Sequence, residues 1–167
     1  MKFGDYYLEQ DIREVGSSLN EVPTETYKIL GRAFADEKIY QGSDVLFLEM
    51  VWDCVLAATG NHIYKISVQH NTPSTEDAES LFNIASAYFT GPYGEPVKKR
   101  SDHCLWETPE LNIVLGQVSK LGFHMVNITV TSGSPFKQLP SAQVMKVSLK
   151  LYFGYLLRRI RLWLYRE

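Results

Sequence analysis

The sequence predicts an α+β fold in which an antiparallel sheet, built from a hairpin and a three-stranded meander, is packed by helices on one face and followed by a basic, apolar C-terminal helix. Three observations carry this expectation. Two alternating apolar runs adjoin between Val45 and His70, a capped and striped helix follows from Thr72 to Phe89, and three more apolar runs separated by turns lie between Cys104 and Thr131. Residues 1–140 are expected to form the α+β body, and residues 141–167 a basic amphipathic helix belonging to the same domain.

At the N-terminus Asp5 is placed to cap a short helix, since Leu8, Ile12, Val15 and Leu19 recur at helical spacing before Gly16-Ser17-Ser18. Val22-Pro23-Thr24 breaks the chain, and Thr24 is suited to cap a second short helix ending before Gly31. Residues 32–44 read as loop, with a short strand at Lys38 to Tyr40.

From Val45 to Ala57 every even position, Leu46 through Leu56, is apolar, which is the period of a strand. His62 to His70 sets Tyr64, Ile66 and Val68 on one face and Lys65, Ser67 and Gln69 on a wet one. Between them, a two-residue Gly60-Asn61 loop would put Leu56 beside Lys65 and split the apolar face. A three-residue Ala58-Thr59-Gly60 loop avoids this and pairs Cys54 with Tyr64, Trp52 with Ile66 and Met50 with Val68.

Thr72-Pro73-Ser74-Thr75-Glu76-Asp77 offers capping hydroxyls and acidic residues for the positive end of a helix dipole. Ala78, Leu81, Phe82, Ala85 and Phe89 form its core stripe, and Thr90-Gly91-Pro92 is expected to stop it. The meander is read at Cys104 to Thr108, Asn112 to Val118 and Phe123 to Thr131.

Composition narrows the class. The 167 residues are 45% hydrophobic and 13% aromatic, which fits one sizeable core and excludes a disordered chain. Acidic residues arrive before any apolar run of signal-peptide length, and Cys54 and Cys104 are the two cysteines, so a reducing cytoplasmic setting with unbonded thiols is expected. The net charge of −2 hides an asymmetry: residues 1–140 carry eleven basic and eighteen acidic side chains, whereas residues 141–167 carry six and one. An acidic body is followed by a basic tail, which either attracts the body or meets an anionic partner.

Sites of chemistry are sparse. Cys54, Cys104, His62, His70, His103 and His124 show no metal-ligand spacing, and His62 and His70 would stand about 26 Å apart on one strand. His103 and Cys104 are neighbours on a strand and face opposite ways, which argues against a nucleophile and its base. Glu49 and Asp53 would be separated by about 13 Å, too far for a glycosidase pair. Lys98-Lys99-Arg100 is a short solvated triplet without interleaved aromatics, so no nucleic acid is expected as partner. Phosphate-loop, dinucleotide and nucleophile-elbow signatures are absent, and no cofactor is expected.

The segment Val144 to Tyr165 stands out, with fifteen of its 22 residues apolar and five charges, all positive. On a helical wheel Lys146, Lys150, Arg158 and Arg161 share one arc of about 120°. Its longest uncharged run, Leu151 to Leu157, is seven residues, far short of the ~20 of a membrane span. It is expected to cover the sheet, to bind a protein partner or a second copy, or to touch an anionic membrane peripherally. Lys146, Lys150, Tyr155, Arg158, Arg161 and Trp163 are the candidate contacts. The expected function is a non-catalytic intracellular protein-binding module, the alternative being a small hydrolase or transferase with a pocket between sheet and helix.

Overall fold

The computed structural model describes residues 1–15, 19–22 and 37–133. The expected helix at Thr24 and the C-terminal helix, with Lys146, Lys150, Tyr155, Arg158, Arg161 and Trp163, lie outside the described residues.

Strand dominates. Of the described residues 53% are in strands and 20% in helices, and one long helix lies on a large antiparallel sheet. This overturns the expected α+β domain with several helices over a modest sheet. Short strands at both edges and a hairpin in place of the first helix enlarge the β part.

The strands are β1 (Lys2–Phe3), β2 (Tyr6–Tyr7), β3 (Asn20–Glu21), β4 (Lys38–Gln41), β5 (Val45–Phe47), β6 (Met50–Thr59), β7 (His62–Thr72), β8 (Lys98–Lys99), β9 (His103–Glu107), β10 (Leu111–Lys120) and β11 (Phe123–Ser132). Helix α1 is Ile12–Val15 and α2 is Thr75–Tyr93. The main sheet runs β3-β4-β6-β7-β11-β10-β9-β8, with β5 also on β6, while β1 and β2 pair apart from it.

Asp5 does not cap a helix. It follows Gly4, whose φ of +57° makes the turn of the β1–β2 hairpin, and Phe3 and Tyr6 enter the core. Beyond the hairpin the chain turns at Glu9, whose φ is 65°, and backbone bonds tie it to the start of β7: Glu9 N–H donates to Ile63 O at 2.7 Å and Ile63 N–H to Gln10 O at 2.9 Å. Helix α1 begins one residue later, where Asp11 Oδ1 accepts the Arg13 N–H at 2.9 Å.

The run from Val45 to Ala57 is not one strand. Leu48 and Glu49 take φ of 50° and 61°, so the chain reverses and β5 pairs with β6. The apolar face changes parity at this turn: Val45 and Phe47 lie opposite Trp52 and Met50 on the core side, whereas Leu46, expected on that face, is exposed beside Val51.

Hairpin β6–β7 uses the two-residue Gly60-Asn61 turn, with Thr59 opposite His62 and Ala58 opposite Ile63. Ala57 then faces Lys65, so Tyr64 is the extra residue of a β-bulge. Beyond it Leu56 pairs with Ile66 and Cys54 with Val68. The expected pairings of Cys54 with Tyr64, Trp52 with Ile66 and Met50 with Val68 are therefore shifted, although even positions still face even positions. The bulge restores the shared apolar face that the two-residue turn alone would split.

Helix α2 starts at Ser74, whose Oγ accepts the Asp77 N–H at 3.1 Å. Ala78, Leu81, Phe82, Ala85 and Phe89 are buried as the stripe requires. The helix continues through Gly91 and Pro92 to Tyr93, and Gly94, at φ 75°, caps it by donating its N–H to Thr90 O at 2.9 Å. Facing the stripe are Trp52, Cys54, Leu56, Ile66, Val68, Cys104, Ile113, Leu115 and Ile128, all within 1% of full burial. Phe47 holds the helix to the hairpin, with ring centroids 5.1 Å from Tyr88, 6.2 Å from Phe89 and 5.9 Å from Trp52. Such ring contacts add roughly 0.5 to 1.5 kcal/mol each beyond the area they bury.

Candidate functional site

Strands β4 and β5 run along the same edge of β6, interrupted at Gly42-Ser43-Asp44. Gly42 N–H still reaches Cys54 O at 3.0 Å, but the register changes and the backbone bows outward. The ring of Tyr6 fills part of the gap, because a Cβ on Gly42 would stand 3.1 Å from it, and its hydroxyl accepts the Ser43 N–H at 2.8 Å. Between this bow, the β1–β2 turn and α1 lies a hollow of about 370 Å³.

Among the described residues its charged lining is acidic: Asp5 from the hairpin turn, Glu14 from α1 and Asp44 from the bow. Gln10, Ser43 and Tyr6 supply neutral polar groups, and Val15, Val45 and Leu46 an apolar side. Arg13, nearby in sequence, turns to Asp11. Two bonds from its Nε, at 2.9 and 3.1 Å, and a contact from Nη2 hold that carboxyl far below the usual carboxylate range. Among the described residues no group of three His, Cys, Asp or Glu side chains could hold a metal ion. Spread rather than converging, the carboxylates of the hollow suit positive charges borne on flexible side chains.

The sheet face away from α2 carries a polar rung across five strands, in the order Asp53, Gln69, Asn127, Gly116, His103. Gln69 Nε2 donates to Asp53 Oδ2 at 3.2 Å. The Asn127 amide lies over Gly116, where a Cβ would come 2.7 Å from its Oδ1. His103 Nδ1 is 2.8 Å from Asp102 Oδ1, a bond that lowers the Asp102 pKa, while its buried Nε2 makes no hydrogen bond.

An imidazole oriented by a carboxylate needs a nucleophile before it resembles a catalytic triad. Cys104 is not one. It lies on the α2 side, fully buried, with Sγ 3.9 Å from Ser86 Oγ. Cys54 is equally buried, and desolvation pushes its thiol up to about 12. Both cysteines are free.

Lys65, assigned from sequence to a wet face, is buried. Desolvation brings its pKa down to about 8, opposed by the charge of Glu37, whose carboxylate accepts a hydrogen bond from Tyr64. Glu49 sits in the β5–β6 turn rather than on a strand with Asp53. His62 and His70 occupy separate places, their Nδ1 atoms 3.2 Å from Glu9 O and 2.8 Å from Val51 O. Lys98 and Lys99 form the exposed edge strand β8.

The hollow was not visible in the sequence. Asp5 was assigned to a helix cap and Asp44 to a loop, and no spacing links residues 39 positions apart. The Gly42-Ser43-Asp44 turn composition just before an apolar run is the one local signal of a bow there.

No family model, no curated protein and no solved structure matches this chain. No helix among the described residues is long and apolar enough to cross a membrane.

Proposed function

We propose that this protein is a non-catalytic interaction module that takes a basic segment of a partner protein into the hollow beside β5. One observation carries the reading: among the described residues, every charged side chain lining the hollow, Asp5, Glu14 and Asp44, is acidic. The excess of acidic over basic residues in 1–140 extends the same field and would steer a basic partner toward it. The reading places the protein in the cytoplasm, in keeping with two unbonded thiols. It leaves residues 141–167 as a second contact, for a partner, another copy or an anionic membrane.

A fluorescent oligo-arginine peptide titrated with the full chain tests the hollow. Binding should weaken several-fold in Asp5→Asn/Asp44→Asn, weaken with salt, and remain near wild type in Glu107→Gln/Glu110→Gln, which removes two acids elsewhere. Equal affinity for the two double variants would sink the proposal.

The enzyme alternative needs a pocket between sheet and helix. That space is occupied by Leu81, Phe82 and Phe89 against Ile113, Ile128 and Trp106, which favours the interaction reading.

A further inference from the structure

The outward face of α2 is a second surface, independent of the hollow. From Ser80 to Gly94 the chain has no charged residue, and the outward positions Asn83, Ile84, Ala87, Tyr88 and Gly91 are all exposed. Ile84 is 51% and Tyr88 49% exposed, although solvent-facing helix positions ordinarily carry charge.

Charge gathers instead at the two ends. Glu76, Asp77 and Glu79 are exposed at the start of the helix, and just beyond its end three exposed bases, Lys98, Lys99 and Arg100, outnumber one exposed acid, Glu95. Two contacts fix that second position. Trp106 Nε1 donates to Gly94 O at 2.9 Å, and Lys98 pairs with Leu105, the residue before Trp106. The basic strand β8 is thereby held beside the C-terminal end of α2.

We infer that this face is the seam of a homodimer in which two copies of α2 cross antiparallel about Ala87 and Tyr88. A two-fold axis there sets the acidic first turn of one helix toward Lys98–Arg100 of the second copy, and the reverse, so both ends are complementary at once. Ile84 of each copy meets the small Ala87 and Gly91 of the other, where the two backbones approach closely. The uncharged centre brings no like charges together across the axis. Alternative occupants fit less well: a basic partner helix would meet Lys98–Arg100, and an acidic one would meet Glu76 and Glu79.

A helix of 19 residues is about 28 Å long. The seam therefore falls in the small class of interfaces, below about 1,200 Å² in total, and the dimer is weak and concentration-dependent.

Sedimentation velocity of the full chain over a micromolar concentration series tests this. Wild type should shift from monomer to dimer across the series. Ile84→Lys/Ala87→Lys, at exposed positions outside the ring contacts that Tyr88 makes with Phe47, should weaken association by about tenfold or more, with circular dichroism reporting an unchanged fold. Lys98→Glu/Lys99→Glu should weaken it several-fold, and combining that pair with Glu76→Lys/Glu79→Lys should restore it. A wild type that stays monomeric throughout, or a dimer untouched by Ile84→Lys/Ala87→Lys, overturns the seam. Failure of the exchanged charges to restore association overturns its antiparallel arrangement. None of these variants touches Asp5, Glu14 or Asp44, so the peptide titration is read separately.

Discussion

The hydroxyl of Tyr64 donates to the carboxylate of Glu37 in the buried part of the sheet, one residue from the buried amine of Lys65. The β-bulge creates this neighbourhood. It inserts Tyr64 between Ile63, opposite Ala58, and Lys65, opposite Ala57, in a part of the sheet covered on both faces, since Thr131, opposite Lys65, is also buried.

Stability should respond to pH through Lys65. Its folded pKa of about 8 lies below the ordinary lysine value of 10.5, so between these values the unfolded chain binds more protons and stability rises with pH. The sign is that of a buried base: the destabilisation is fully present below about pH 8 and fades above it. Burial also raises the Cys54 thiol from 9.0 to about 12 and the Tyr40 and Tyr93 pKa values above 10.0, which act oppositely as the pH passes 9 and then 10, so Lys65 dominates between about pH 8 and 9. A net gain of about 0.5 to 1 kcal/mol is expected there in urea unfolding. Lys65→Met/Glu37→Gln, which removes both charges, should flatten the profile.

The two thiols should be silent in the native state. Cys54 and Cys104 have no exposed surface, and the raised Cys54 pKa leaves little thiolate at neutral pH. An aromatic disulfide reagent should label neither in the folded protein and both in denaturant. Native labelling at the rate of a free thiol would contradict the burial of at least one.

Two glycines should differ in their tolerance of alanine. At Gly133 a Cβ would meet Pro109 O at 2.7 Å and the Glu110 carbonyl carbon at 3.0 Å, which are backbone atoms, and the Gly133 N–H bonds Glu110 O at 2.7 Å. Gly133→Ala is expected to cost about 1 to 3 kcal/mol as overpacking. At Gly116 the obstacle is Asn127 Oδ1, the end of a side chain that can rotate, so Gly116→Ala should cost less than about 1 kcal/mol. Denaturation midpoints of the two variants measure the ordering.

What was legible in the sequence followed period and capping. The α2 stripe, the Ser74 cap and the meander are local patterns, and each fell where its residues place it. Parity in the β6–β7 hairpin was legible too, because one apolar face had to be shared. The register was not, since Tyr64 has the apolar bulk of an ordinary strand residue and nothing nearby marks it as extra. Nor was the N-terminal hairpin. Leu8, Ile12 and Val15 keep helical spacing, yet the backbone from Glu9 to Ile12 is bound to β7 and its turn by residues fifty positions away. The hollow shares that obstacle, being assembled by pairings that sequence spacing does not encode.

The β5–β6 turn tests how far local backbone cost was overridden. Leu48 and Glu49 both take positive φ, where side chains other than those of Gly, Asn and Asp are disfavoured by about 1 kcal/mol or more. Leu48 packs against the core, which offsets its cost, whereas Glu49 is exposed and has no such packing. Glu49→Gly should therefore stabilise the protein by roughly 0.5 to 1 kcal/mol, the relief of strain exceeding the added flexibility of the unfolded chain. Asn61 supplies the comparison: at φ 69° in the β6–β7 turn it already tolerates the left-handed region, so Asn61→Gly should change little. Paired denaturation curves would show the difference, and a Glu49→Gly midpoint at or below that of wild type would mean that the Glu49 side chain contributes more to the fold than its exposed position implies.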